Sequence, residues 1–100
     1  MGLFNFNTNK KLPAVSDIFS AQDLQTIGEV IGQKRDSYYW QYRGLADTIL
    51  QVVKTPDKTF TKREWRGIIY SAGCMTKLEP ELAPMLKAII ERYHAFNKKQ

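Results

Sequence analysis

The sequence predicts an all-α fold, a small helical bundle built on one long central helix. Apolar residues recur at the helical spacing of three and four over most of the 100 residues, and the clearest local start signal is a helix cap. The alternation of apolar and polar residues over residues 4–7 is too brief to found a sheet, and no strand partner for it exists elsewhere. The core is therefore expected to form by helix packing.

The central helix is predicted over residues 20–54. One apolar stripe keeps its helical phase throughout, with a polar interruption at Arg35. The stripe consists of Leu24, Ile27, Ile31, Tyr38, Tyr42, Leu45, Ile49 and Val52. Because neither proline nor glycine lies between Gln33 and Arg43, nothing there indicates a loop. Ser20 is placed to cap the helix, and Thr55-Pro56 ends it.

The length of this helix raises the question of what covers it. At about 1.5 Å per residue it would span roughly 50 Å, which exceeds the size of a small globule. Either the N-terminal arm or a second copy of the chain must cover its first half. Gly28 and Gly32 would form a shallow groove there that admits a close neighbour, so a homo-oligomer is one expectation.

Residues 1–19 are predicted to form an N-terminal arm, attached to a single all-α domain of residues 20–100. Pro13 suits a first helical position, and a short helix reaching Phe19 would pack on the first half of the central helix. We favour this docked arm over the alternative that Phe4 and Phe6 form a free hook for a partner.

The second major helix is predicted over residues 62–73. Thr61 and Glu64 are the two ends of a capping box, and Phe60 and Trp65 are spaced as a hydrophobic staple. Gly73 is expected to stop the helix.

A C-terminal amphipathic helix is predicted over residues 80–97. Its apolar residues repeat at intervals of three and four from Leu82 to Phe96. Pro80 suits the first helical position, and Glu79 and Glu81 are interpreted as favourable charges at the helix start.

Composition excludes several classes of protein. One hundred residues with 43% hydrophobic and 25% charged content are typical of one small globular domain. No stretch approaches membrane-spanning length, so no membrane partner is expected. The single cysteine, Cys74, cannot form an internal disulfide, which fits a reducing compartment and leads us to expect a cytoplasmic protein.

Catalytic chemistry is not predicted, and we do not expect an enzyme. Glu91 and His94 are two potential metal ligands without a third, and Cys74 is more typical of a packing residue than of a nucleophile. The chain holds no phosphate-binding glycine loop and no paired-carboxylate motif. No cofactor and no metal are expected.

The first candidate site is aromatic. Successive residues on a helix point about 100° apart, so Tyr39 and Trp40 cannot share one core face with Tyr38. They must either be buried against other helices, which is the commoner outcome, or lie at the surface. Together with Arg43 they have the composition of a protein interface. We therefore predict a non-catalytic protein-binding module, regulatory or accessory, whose partner-binding residues are Tyr39, Trp40 and Arg43.

The alternative is a nucleic-acid-binding protein. The net charge of +5 is unevenly distributed, since residues 54–66 alone carry a net +3. The phosphate-contacting residues would be Lys58, Lys62, Arg63 and Arg66. The two helices that follow residue 61 are compatible with a helix-turn-helix. However, the second of them begins with Glu79-Pro80-Glu81 and would present acid to the phosphates. We favour the protein partner for that reason.

Overall fold

The computed structural model describes residues 11–99, and all regular structure in that range is helical. The elements are α1 (Val15–Ile18), α2 (Ala21–Lys34), a 3₁₀ turn (Arg35–Ser37), α3 (Trp40–Lys54), α4 (Lys62–Leu78), a second 3₁₀ turn (Pro80–Leu82) and α5 (Ala83–Lys98). The predicted all-α bundle is thereby confirmed. The predicted hook residues Phe4 and Phe6 lie outside the described residues.

Helix α1 is the short helix predicted within the arm. Its Val15 and Ile18 are buried, but it packs mainly against α5 and not against the first half of the predicted central helix. The next residue, Phe19, stacks on Trp65 with ring centroids 6.4 Å apart. The arm therefore belongs to the hydrophobic core from Val15 onward.

The prediction of one continuous helix over residues 20–54 is wrong. The helix ends at Lys34, and after the 3₁₀ turn the chain folds back so that α3 packs against α2. A straight helix would leave half of its apolar stripe in water, whereas the break buries both Ile31 and Ile49 in one core. Tertiary burial thus overrides the helical phase that the sequence maintains.

Gly28 and Gly32 form the predicted groove, and α3 of the same chain occupies it. A Cβ atom at Gly28 would lie 3.2 Å from Val53 Cγ1, and one at Gly32 would lie 3.9 Å from Leu50 Cδ2. The absence of a side chain at these positions allows α2 and α3 to approach closely. The surface considered for self-association is therefore covered within the chain.

The start of α2 is capped as predicted and is also tied to α5. The Ser20 hydroxyl accepts a hydrogen bond from the Asp23 amide at 3.0 Å, and the Asp23 carboxylate accepts one from the Ser20 amide at 2.9 Å. The same carboxylate oxygen accepts from the Arg92 guanidinium at 2.9 Å. One acidic residue thereby caps a helix and links two elements that are distant in sequence.

The capping box and the staple at the start of α4 are confirmed. Thr61 Oγ1 accepts from the Glu64 amide at 3.1 Å, and the Glu64 carboxylate accepts from the Thr61 amide at 2.9 Å. This hydrogen bond lowers the pKa of Glu64. The Phe60 ring meets the Trp65 ring edge-on, with centroids 5.7 Å apart. Loss of a cap of this type costs about 1 kcal/mol.

Helix α4 does not stop at Gly73 but continues to Leu78. Gly73 has no positive φ, so it does not form the left-handed cap that the prediction required. Met75 is completely buried on the same face as Ala72, and the burial of this face extends the helix. Only Glu79 therefore separates the end of α4 from the second 3₁₀ turn.

The C-terminal helix also begins later than predicted. Residues 80–82 form the second 3₁₀ turn, and α5 starts at Ala83 with Pro84 in its first turn, where a missing N–H matters least. Tyr93 of α5 packs on the completely buried Trp65, with ring centroids 5.6 Å apart. The indole of α4 therefore lies at the centre of the core, and the opposite face of α4 is left to solvent.

Candidate partner-binding surface

Tyr39 and Trp40 lie at the corner where the chain enters α3. Tyr39 is the N-cap residue and Trp40 is the first helical residue, and their side chains are 76% and 79% exposed. The chain's other tryptophan, Trp65, is completely buried. The structure therefore places this predicted pair at the surface, where its aromatic area is available to a partner.

Arg43, the third predicted partner-binding residue, has a structural role at the same corner. Its guanidinium donates hydrogen bonds to the carbonyl oxygens of Tyr38, at 3.1 Å, and Asp36, at 3.0 Å. These carbonyls lie where the hydrogen-bond ladder of α2 has ended and helical amide donors are missing. Arg43 thus stabilises the break between α2 and α3.

An open groove between α3 and α4 continues from this corner. Its volume is about 760 Å³, and its lining is mostly apolar, with Leu45, Ile69, Leu78 and Ile90 among its residues. Tyr42 also lines the groove. The Tyr42 ring lies 6.4 Å from the Tyr39 ring, so the exposed corner and the groove are continuous.

Tyr70, on the far side of the groove, is a surface residue that the sequence analysis missed. Its side chain is 67% exposed, and a hydrogen bond with the Cys74 thiol raises the pKa of its phenol. Tyr70 lies about 160° from Ile68 and Ala72 around the helix, at about 100° per residue. That phase alone could have indicated an exposed aromatic residue.

The predicted basic residues lie at the start of α4 and in the loop before it. Lys62, Arg63 and Arg66 are exposed, and within residues 11–99 no ion pair involves them. Lys58 differs because its ammonium lies 3.5 Å from the Glu64 carboxylate and 5.2 Å from the Phe60 ring centroid. The structure therefore brings three of the four together as unpaired cations on one helix.

The solvent-facing side of α4 joins the basic residues to the aromatic ones. Four residues lie opposite the buried face of the helix, at intervals of three, four and seven: Arg63, Arg66, Tyr70 and Lys77. Helix α4 carries four basic residues and one acidic residue, Glu64. This face consequently carries cations near both ends of the helix, with Tyr70 between them.

Glu79 forms a polar cluster that the sequence analysis misinterpreted. It is 4% exposed and does not act as a charge at a helix start, because its carboxylate accepts from Lys34 Nζ at 2.9 Å and from the Tyr38 hydroxyl at 2.8 Å. Burial and the adjacent carboxylate raise the pKa of Tyr38, and the Glu79 hydrogen bond raises the pKa of Lys34. The objection to DNA binding that rested on an acidic helix start therefore applies to Glu81 alone.

Residues 11–99 contain no group of three or more histidine, cysteine, aspartate or glutamate side chains that could hold a metal ion. His94 is exposed on α5, and Cys74 is half-buried on α4. None of the described helices is long and apolar enough to cross a membrane. Comparison with protein-family models, curated proteins and solved structures finds no match for the chain.

Proposed function

We propose that this protein is a non-catalytic binding module that takes an acidic segment of another protein on its aromatic surface. The aromatic surface is defined as Tyr39, Trp40, Tyr42 and Tyr70 together with the groove between α3 and α4. The observation that carries the proposal is the exposure of Tyr39 and Trp40 beside an apolar groove. Aromatic anchors next to a pocket supply most of the binding energy at protein interfaces.

The groove offers surface for an apolar side chain of a partner. Leu45, Ile69 and Leu78 supply the aliphatic part of this surface. Tyr42 and Tyr70 flank these residues with hydroxyl groups that can bond to a peptide backbone. A segment with a few large apolar residues on one side would fit this arrangement.

The charge of α4 favours an acidic partner segment. Arg66 lies one helical turn from Tyr70, and Lys77 itself lines the groove. Carboxylates beside the apolar residues of the partner would meet these cations, which increases the association rate and excludes basic competitors. A second copy of the chain fits this surface less well, because a two-fold interface would place the same cations opposite one another.

Selection from a random-peptide display library, with the folded protein as bait, tests this proposal. The enriched peptides should combine acidic residues with large apolar residues. Their affinity should fall by more than about tenfold in Trp40→Ala and in Tyr70→Ala, because truncation of an anchor typically costs more than about 1.4 kcal/mol. Tyr70→Phe, which keeps the ring, should retain most of the affinity.

The charge requirement has its own matched pair of variants. Arg66→Glu/Lys77→Glu should weaken the selected peptides, whereas Lys54→Glu, at the opposite end of α3, should leave their affinity unchanged. Peptides without acidic residues, or peptides whose binding survives both aromatic truncations, would contradict the proposal. Fluorescence anisotropy on the synthetic peptides measures all of these affinities.

Nucleic-acid binding is the second candidate function, and the unpaired cations of α4 favour it. If Lys62, Arg63 and Arg66 contact phosphates, affinity for duplex DNA should fall steeply with salt because bound counterions are released. Lys62→Glu/Arg63→Glu should abolish the binding that the wild type shows at low salt. Filter binding at several salt concentrations measures both effects. Micromolar or tighter binding abolished by the double change would favour this function over the protein partner.

A further inference from the structure

We propose that the chain forms a domain-swapped dimer in which the break between α2 and α3 straightens and residues 11–37 pack on a second copy. The interaction surface is the face of α3, α4 and α5 that α1 and α2 cover in the monomer, and the partner is the same segment of another chain. This inference does not rest on the proposed function, since it is argued from the corner between α2 and α3. The dimer would cover Tyr39, so it would compete with the proposed partner for that residue.

The backbone of the break is close to that of a helix. Lys34 has φ −94° and ψ −6°, and Arg35 has φ −50° and ψ −47°, both in the right-handed helical region. Extended values occur at Tyr38, with φ −73° and ψ 152°, and at Tyr39, with φ −58° and ψ 148°. The φ values of these two residues already suit a helix. Rotation about their two ψ angles would therefore largely restore a continuous helix.

The sequence supports the straightened form because the two halves share one helical phase. In a continuous helix at about 100° per residue, Gly28, Gly32, Leu50 and Val53, which meet between α2 and α3, would fall within about 60° of one another. The positions of Arg35, Tyr39, Tyr42 and Ala46 lie on the same side, and the whole stripe spans about 80°. The contact stripe of the monomer would thus be unbroken across the straightened corner.

The pairing of α2 with α3 places a two-fold axis at that corner. Gly28 lies against Val53, Gly32 against Leu50, and Arg35 is paired with Asp47, so the midpoint of each pair falls at residue 40 or 41. Two straightened chains packed antiparallel would reproduce these pairs between chains and cross at the same residues. Tyr39, which is 76% exposed in the monomer, would then face the partner helix near the axis.

Most contacts that hold α1 and α2 would be remade with the partner, so they do not distinguish the two forms. The remade contacts are Phe19 with Trp65, Asp23 with Arg92, Lys34 with Glu79 and Arg35 with Asp47. The hydrogen bonds of Arg43 to the Tyr38 and Asp36 carbonyls are different, because in a continuous helix those carbonyls accept from backbone amides. Arg43 therefore acts as a latch for the monomer.

Two substitutions at the corner test the proposal in opposite directions. The closed corner accepts a proline at position 39, because Tyr39 already has a proline-like φ and the preceding residue, Tyr38, is extended. A continuous helix does not accept one, so Tyr39→Pro should remain monomeric. Arg43→Ala should raise the dimer association constant by at least about tenfold, because the closed form alone loses hydrogen bonds. Asp23→Asn is the control, since the contact of Asp23 with Arg92 exists in both forms and the constant should change little. Light scattering after refolding at millimolar concentration gives the populations.

A crosslink distinguishes the swapped dimer from an ordinary one. The Lys34 ammonium and the Glu81 carboxylate lie 3.6 Å apart, on opposite sides of the exchanged interface. Chains carrying Lys34→Cys and chains carrying Glu81→Cys, both in a Cys74→Ser background, should be joined by a flexible bis-maleimide reagent that spans the length of the two replaced side chains. This should happen when the chains are refolded together and not when folded monomers are mixed. The proposal is wrong if both the wild type and Arg43→Ala stay monomeric at millimolar concentration. It is also wrong if dimers form but do not crosslink, or if Tyr39→Pro forms a dimer that does crosslink.

Discussion

Glu79 is the residue whose environment differs most from what its position in the sequence indicates. A glutamate between a leucine and a proline resembles a surface charge, yet its carboxylate is buried and accepts hydrogen bonds from Lys34 and Tyr38. A buried carboxylate left without donors would be strongly destabilising, so these partners are a condition of the fold. They lie more than 40 positions away in the sequence, and local pattern cannot find them.

Tyr38 makes this cluster sensitive to alkaline pH. Its pKa is raised above the ordinary value of 10.0, so the folded protein keeps a proton that the unfolded chain loses. The associated stability is present below pH 10 and is lost as the pH rises above it. We predict that the free energy of unfolding of the wild type falls above pH 10 more steeply than that of Tyr38→Phe.

Urea unfolding at a series of pH values measures this difference. At neutral pH, Tyr38→Phe should cost about 1–2 kcal/mol because the buried carboxylate loses one donor. Tyr39→Phe is the control, since the Tyr39 ring is exposed and its hydroxyl makes no hydrogen bond within residues 11–99. Parallel pH profiles for the wild type and Tyr38→Phe would contradict the assignment.

At the scale of elements, helix starts were more predictable than helix ends. The caps at Ser20 and Thr61 depend on residues three positions apart, so their geometry is local and the sequence contains it. The end of α4 beyond Gly73 depends on the burial of Met75, and the end of α2 at Lys34 depends on α3 folding back. Both ends are therefore decided by packing.

The glycines separate the contribution of helix propensity from that of packing. A Cβ atom at Gly44, within α3, would have no heavy atom within 4 Å, whereas one at Gly28 would lie 3.2 Å from Val53 Cγ1. Gly44→Ala should therefore stabilise the protein by about 0.5–1 kcal/mol. Gly28→Ala should stabilise less or destabilise, because α3 must shift to admit the methyl group.

The denaturant midpoints of the two alanine variants test this prediction. If the slope of unfolding free energy against denaturant concentration is unchanged, the shift in midpoint reports a change in stability. Equal stabilisation by both changes would mean that α2 and α3 do not pack as closely at Gly28 as the structure has them.

At the scale of the whole molecule, the two tryptophans separate folding from binding. Trp65 is completely buried among Phe19, Phe60 and Tyr93, while Trp40 is 79% exposed. Trp65→Ala should cost about 3–5 kcal/mol, a large part of the stability of a small domain. Trp40→Ala should change stability by less than about 0.5 kcal/mol while it removes partner binding.

Chemical denaturation of both variants gives the two free energies, and the remaining tryptophan reports on each. The fluorescence of Trp40→Ala, which arises from the buried indole, should shift to longer wavelength on unfolding. That of Trp65→Ala should shift little. A stability loss of several kcal/mol in Trp40→Ala would show that this residue belongs to the core.

The candidate site was predicted in part. Helix geometry alone prevents Tyr39 and Trp40 from sharing a core face with Tyr38, and the structure places both at the surface. Arg43 was grouped with them by proximity, but the break in the helix turns its guanidinium toward the backbone. Tyr70 was overlooked, although its position opposite the buried face of α4 is readable from the spacing.

The sequence by itself determined the helical content, the capped starts and the apolar faces, because each of these depends on residues within a turn or two of one another. Only the tertiary structure decided where the predicted central helix breaks, how far α4 extends and which polar residues are buried. The physical reason is the same in each case. Burying an apolar face against distant residues yields more free energy than residues 34–39 gain by staying helical, or than Gly73 gains by ending a helix. This gain depends on contacts between residues far apart in the sequence, which no short window of the sequence contains.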